Sequence, residues 1–312
     1  MTILCNCNIV ILINRNSMTT RLNNIVILIN CDIAILRYCD IIMTQHHKED
    51  IIMARIISVA NQKGGVSKTT TSINLGAALH FTFNKSVLVI DMDPQGNATD
   101  NFGFDIDGTN VPTIYEVLKD EASITEAILN YKGIDVIPAD IALSSAEREF
   151  TQVGSEHRLK RVLQPIEENY DYIIIDCPPS LGILTVNAFT VSDEIIIPVE
   201  AAYFSLKGLV KLNETIETVK EYTNESLIIR GVLFTKYNER FNISKEMNKT
   251  ANQISDALHV NIFDTYIRRT ITVDEAQAAG SDLISFNKTS TAEDDYIQFT
   301  KEFLEKVGDL NE

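Results

Sequence analysis

The stretch Lys63-Gly64-Gly65-Val66-Ser67-Lys68-Thr69-Thr70 constrains this chain more than any other feature. It follows an apolar run, Ile56 to Ala60, and precedes an apolar-periodic run carrying Ile73, Leu75, Ala77 and Ala78. A glycine-rich turn between a strand and a helix bares consecutive backbone N–H groups and directs a helix N-terminus at whatever sits there, a geometry that suits phosphate. In such a loop Lys68 reaches the β- and γ-phosphates and the Thr69 hydroxyl ligates Mg²⁺. Gly64, Gly65, Val66, Ser67, Lys68, Thr69 and Thr70 are therefore the candidate nucleotide-binding residues.

The surrounding pattern places this loop in an α/β frame. Strand-like runs are Ile56–Ala60, Val87–Asp91, Ile134–Pro138, Tyr172–Asp176, Glu194–Pro198, Ile228–Thr235 and Ile262–Ile267. Several are unbroken Val/Ile/Leu blocks, as expected of strands buried on both faces of a parallel sheet. Helical periods fall between them: Ser205 to Tyr222, and Lys245 to Leu258 after the N-cap Ser244. A last helix is expected to follow Thr291 as its N-cap, with Asp294 at its third position. It should bury Tyr296, Phe299, Phe303 and Val307. The expectation is one doubly wound, mostly parallel α/β domain of the P-loop NTPase type, with helices on both faces of the sheet, spanning residues 53–312.

The first 52 residues read differently. The heptapeptide NIVILIN occurs at Asn8–Asn14 and again at Asn24–Asn30. No helix or strand logic requires a perfect copy, and two copies are too few for a solenoid. The apolar runs are too short to span a membrane. Repeated DNA would yield a repeated peptide, so residues 1–52 are expected to be a non-native or disordered extension from upstream translation, with Met53 as the physiological start. A β-hairpin arm is the alternative. A peptide from residues 8 to 30, found by mass spectrometry of the native protein, would refute the first reading.

Four of the five cysteines lie in that segment, so the rest of the chain holds Cys177 alone and no disulfide framework. The four basic and four acidic residues of the segment cancel, leaving the full net charge of −16 on residues 53–312. A chain this acidic does not attract nucleic acid by bulk charge.

Two further strands end in acids. Val87–Asp91 leads into Met92-Asp93-Pro94-Gln95-Gly96-Asn97; Asp91 and Asp93 are two apart and on an extended chain share a side. Tyr172-Ile173-Ile174-Ile175-Asp176-Cys177-Pro178-Pro179 is the other. In open parallel sheets ligands bind at the carboxyl ends of strands, where these acids lie.

The loop is not the standard P-loop: Gln62 and Ser67 stand where that pattern has glycines, and a second lysine, Lys63, heads the loop. It resembles the deviant Walker A motif of the ParA/MinD family of dimeric ATPases. Within that family the chain looks most like ParA/Soj partition ATPases. The resemblance is carried by ISVANQKGGVSKTTTSINL, VLVIDMDPQGNATDNFG, YDYIIIDCPPSLGILTVNA, IPVEAAYFSLKGLVKL and GVLFTKYNERFNIS, nearly the whole of residues 53–312. It departs at Ser67, a glycine in many members, and at Ile267-Arg268-Arg269-Thr270, where many relatives read Ile-Pro-Arg-Asn.

The resemblance implies ATP and Mg²⁺ as cofactors and Lys63, Lys68 and Asp93 as catalytic residues. Lys63 would cross a dimer interface to the partner's nucleotide, and Asp93 would position the attacking water. Thr69, Asp91 and Asp176 would hold the metal and its shell. It implies a cytoplasmic homodimer with ATP sandwiched, nucleoid-associated in the ATP state, binding DNA non-specifically and working with a ParB-like centromere-binding protein. The DNA candidates are Lys211, Lys236, Arg240, Lys245, Lys249, Arg268 and Arg269. The acidic C-terminus would be repelled by an anionic membrane, so no membrane partner is expected. An ATP-dependent enzyme of small-molecule metabolism with the same fold is the alternative.

Overall fold

The structure, a computed structural model, describes residues 19–22, 25–28, 53–106, 108–200, 206–237, 250–254, 260–286 and 290–310. The chain divides into two units, Met1–Ile52 and Met53–Glu312. In the first, β1 (Thr19–Leu22) and β2 (Ile25–Leu28) pair antiparallel, Thr19 opposite Leu28 and Leu22 opposite Ile25. The first NIVILIN copy lies outside the described residues.

The second unit carries one eight-stranded sheet. Its strands are β3 (Arg55–Val59), β4 (Val87–Asp91), β5 (Leu129–Tyr131), β6 (Ile134–Ile137), β7 (Tyr172–Asp176), β8 (Glu194–Glu200), β9 (Ile228–Tyr237) and β10 (Ile262–Arg268). Their order is β10-β9-β8-β3-β7-β4-β6-β5, parallel throughout except for β5, which runs antiparallel along the edge of β6. The mostly parallel, doubly wound sheet agrees with the sequence pattern. β5 gives no sequence signal because three residues cannot show a period.

The central strands β4 and β7 are buried along their whole length, which is why they read as unbroken aliphatic blocks. Successive side chains feed opposite cores. Ile56, Leu88, Ile90, Ile173 and Ile175 enter one, while Ile57, Val87, Val89 and Ile174 enter the other. Six helices matter for the site: α1 (Lys68–Phe81), α2 (Asn97–Asn101), α3 (Ile183–Val191), α4 (Leu206–Tyr222), α5 (Ile271–Ala278) and α6 (Thr291–Val307). Leu184 and Ala188 of α3 and Leu209, Leu212 and Ile216 of α4 pack into the first core. Ile73 and Leu75 of α1 and Tyr296, Phe299 and Phe303 of α6 pack into the second. Helices thus cover both faces.

One helix expectation changes. α6 starts one residue earlier than expected, with Ser290 as N-cap and no side-chain capping bond. The Thr291–Asp294 box does not form, because Thr291 is already helical and Asp294 N donates to Ser290 O (3.1 Å). Residues 250–254 are helical, but Ser244 and the rest of the expected Lys245–Leu258 helix lie outside the described residues.

Candidate functional site

A cleft of about 420 Å³ opens at the carboxyl ends of the central strands, lined on one side by the Gly64–Thr70 loop. Hydrogen bonds to β8 pin the exit of β3. Ala60 N donates to Ile196 O (3.1 Å), and the buried Asn61 donates from Nδ2 to Pro198 O (2.7 Å). Asn61 Oδ1 in turn accepts from Lys63 N (3.0 Å), which sets the start of the loop. Gly65 (φ +75°) and Ser67 (φ +66°) are both left-handed. For a side-chain-bearing residue that conformation costs about 1–2 kcal/mol, so Ser67 sits where glycine would be unstrained. A Cβ at Gly64 or Gly65 would meet nothing within 4 Å, so the glycines leave open space along this wall.

α1 begins at Lys68, whose side chain is buried. Its Nζ donates to Lys63 O (3.3 Å). Burial lowers its pKa, against the opposing pull of Asp176 and Asp93. Thr69 Oγ1 donates to Asp176 Oδ2 (2.7 Å) and Ser72 Oγ to Asp176 Oδ1 (2.9 Å). The Walker-type acid therefore lies directly behind the first turn of α1. Asp91 is its in-register neighbour across β4 and β7. Burial pushes both carboxyls up, and Asp176 raises Asp91 further. One desolvated ammonium and the Thr69 hydroxyl, backed by the desolvated Asp176 and facing an open glycine wall, form a set that fits a polyphosphate with a divalent cation.

The opposite wall comes from the end of β10 and from α5. Ile267, Arg268, Arg269, Thr270, Val273, Asp274 and Gln277 line it. Gln277 Nε2 donates to Thr70 Oγ1 (2.9 Å), tying this wall to the phosphate loop. Asp93, Asn97 and Asn101 line the floor at α2.

The chain is similar to several known proteins. A family model described as an AAA domain matches residues 54–229. The chain is 41% identical to sporulation initiation inhibitor protein Soj of Bacillus subtilis over 254 residues, 80% of this chain and 98% of that protein. It is 38% identical to chromosome partitioning protein ParA of Caulobacter vibrioides over 260 residues, 82% of this chain and 96% of that one. The chain belongs to the ParA/Soj family of partition ATPases. Among solved structures, cobyrinic acid a,c-diamide synthase from Mycobacterium smegmatis, with ADP and magnesium bound, matches with a TM-score of 0.72 at 32% identity, covering 82% of this chain and 96% of that one.

Two side chains, those of Asp91 and Arg268, sit elsewhere than the sequence suggests. Asp91 does not line the cleft. Its Oδ1 accepts from Asp93 N (3.0 Å), and its Oδ2 accepts from Thr99 N and Oγ1 (both 2.9 Å). The two acids do not share a side because β4 ends at Asp91. Asp93 belongs to the following turn, where Gly96 N donates to Asp93 O (2.9 Å). Asp91 thus holds the turn that presents Asp93. Lys63 is half-buried and does not line the cleft.

Of the basic candidates, Arg240, Lys245 and Lys249 lie outside the described residues. Arg268 is engaged within the fold: its Nε and Nη2 grip Asp295 (2.7–3.1 Å), and its backbone N–H reaches the same carboxylate (2.8 Å). A proline at this position could not offer that N–H. Arg269 is exposed beside it, and Lys211 lies exposed on α4. Gln277, Asp274 and Asn101 escape a sequence reading because a single polar residue on a helix carries no local signature. Cys177 is buried and its thiol is pushed up to about 12 by desolvation, so it serves as an apolar core residue.

Proposed function

We propose that the chain is a Mg²⁺-dependent ATPase forming a homodimer with ATP sandwiched between subunits. In that state it binds DNA non-specifically, and it releases DNA after hydrolysis stimulated by a ParB-like centromere-binding protein. The outcome is segregation of a plasmid or chromosome. The site of action is the cytoplasm, with the ATP-bound form on the nucleoid. Among the described residues no helix is long and apolar enough to cross a membrane.

The observation that carries this reading is the division of labour between the two lysines of one loop. Lys68 lines the cleft of its own subunit; Lys63, at the head of the same loop, does not. By the resemblance to the ParA/MinD family, Lys63 would reach a nucleotide held by the neighbouring subunit, which would make dimerisation a condition for turnover. Phosphoryl transfer is mostly positioning and charge neutralisation. Lys68 and the backbone of Gly64–Thr70 would neutralise the β- and γ-phosphates. Thr69 and Asp176 would hold Mg²⁺, which supplies further neutralisation when bound. Asp93, on the cleft floor, would orient the attacking water, and Asp91 keeps Asp93 in place.

DNA binding is assigned to Arg269 with Arg240, Lys245 and Lys249; Arg268 is withdrawn because its fork is engaged with Asp295. The test is ATP turnover and DNA retention of wild-type protein, with and without generic duplex DNA. Retention that requires ATP and does not depend on sequence is expected. Arg269→Glu should weaken it on unrelated duplexes alike. It should also flatten the log affinity–log salt slope by about 0.9 for each phosphate no longer neutralised, or about twice that in a two-fold dimer.

A second reading, an ATP-dependent enzyme acting on a small molecule, is favoured by the match to the Mycobacterium smegmatis synthase. ATP-loaded protein that binds no DNA near physiological salt would select it.

A further inference from the structure

β9 ends in a bulge that aims a third ammonium at the phosphate loop. Along β10, Tyr266 pairs with Phe234 and Arg268 with Tyr237, so β9 uses one residue more than β10 over this interval. Within that interval Lys236 is left-handed (φ +55°), a conformation uncommon for a side-chain-bearing residue. In a regular strand successive side chains leave on opposite faces. Here they do not. Thr235 Oγ1 donates to Val66 O (3.1 Å) and Lys236 Nζ donates to Gly65 O (2.7 Å). Two consecutive side chains hold two consecutive carbonyls of one loop. Bulges next to active sites commonly re-aim a side chain in this way.

The loop needs such a hold. Gly64 and Gly65 are exposed, and among the described residues a Cβ on either would touch nothing. Lys236 is also exposed and lines the same cleft as Lys68.

We propose that Lys236 is a positioning residue of the nucleotide site: it clamps the phosphate loop through the Gly65 carbonyl and adds a positive charge at the cleft rim, strengthening the binding of nucleotide polyphosphate. Its sequence context groups it with surface lysines suited to DNA. The bulge turns it inward to the loop. The inference rests on the proposed ATPase reading and adds a residue to its site.

The test is calorimetric binding of Mg·ATP to the full chain as wild type, Lys236→Met and Lys236→Arg. Loss of a charge-assisted hydrogen bond should weaken binding roughly tenfold in Lys236→Met. Lys236→Arg should recover most of that loss, which a purely steric role would not allow. Raising salt should narrow the gap between wild type and Lys236→Met. Amide exchange at residues 64–66 in the nucleotide-free protein should be faster in Lys236→Met, and this readout stands even if affinity is hard to measure. Unchanged ATP affinity in Lys236→Met, equal losses in both variants, or unchanged exchange at the loop would overturn the assignment. So would a defect confined to DNA binding. If wild-type protein binds Mg·ATP and Lys236→Met binds it equally, only Lys236 is reassigned; if wild type does not bind Mg·ATP, the ATPase reading falls as well.

Discussion

The two walls of the cleft are built in different ways. The phosphate wall is a loop between adjacent elements, β3 and α1, backed by the acid at the end of β7. Its conformation follows from local demands: left-handed backbone at Gly65 and Ser67, and a helix that begins at Lys68. The opposite wall is assembled from the end of β10 and from α5, and its attachments come from remote residues. Asp295 on α6 holds Arg268, Tyr237 O accepts from Arg269 N (2.8 Å), and Thr70 receives Gln277. One wall is written as a motif. The other is a consequence of packing, held by polar bonds that a change far away in sequence can remove.

That contrast can be tested by damage to each wall, beginning with the largest effect. Lys68→Ala should abolish measurable nucleotide binding, because Lys68 alone of the loop's side chains brings a buried positive charge to the phosphates. Normal ATP binding in calorimetry would break the assignment of this wall. Asp93→Ala should still bind ATP and dimerise but hydrolyse roughly 10²-fold more slowly, the scale of losing a positioned base. Turnover at the wild-type rate would remove Asp93 from the chemistry.

The second wall should yield more gradually. Asp295→Ala frees Arg268 and should weaken ATP binding about tenfold, the scale of one charge-assisted hydrogen bond, while leaving the hydrolysis step intact. A drop in the single-turnover rate with affinity preserved would show that the two walls are not separable.

Smaller effects probe strain and charge within the phosphate wall. Ser67→Gly relieves a left-handed side chain and should stabilise the protein by up to about 1 kcal/mol, raising Tm by roughly 2–4 °C. A lower Tm would mean that the Ser67 side chain contributes more than its backbone costs. The smallest effect is on pH dependence. Burial raises the carboxyls of Asp91 and Asp176, so their folded pKa values exceed the unfolded ones. Their contribution to stability is then fullest below the ordinary carboxylate pKa of about 4 and declines as pH rises through the folded values. Nucleotide-free wild type should therefore lose Tm relative to Asp176→Asn as pH is raised, and Mg·ADP should reduce the difference. Parallel pH profiles would show that the pair is not strained by burial.

How much of this is legible beforehand differs from element to element. β4 and β7 are legible because both faces are buried and their side chains are uniformly aliphatic. β5 is not, being three residues on an edge. Lys68, Thr69 and Asp176 converge as the motif spacing implies. Asp91 misleads because the period-two rule stops where the strand stops, one residue before the turn that carries Asp93. Arg268 misleads for a different reason: a basic residue in an acidic chain looks free for DNA until its partner, Asp295 on α6, is brought beside it.

The order of strand, glycine loop and helix, and the acids at two later strand ends, can be read from the linear chain. Backbone preferences and burial period are local properties, expressed within a few residues. The folded arrangement settles the rest: which acid faces the cleft, which arginine is engaged within the fold, and that a bulge in β9 turns Lys236 onto Gly65. Each of those depends on where residues distant in the chain come to lie, and a hydrogen bond is fixed by the positions of both its ends.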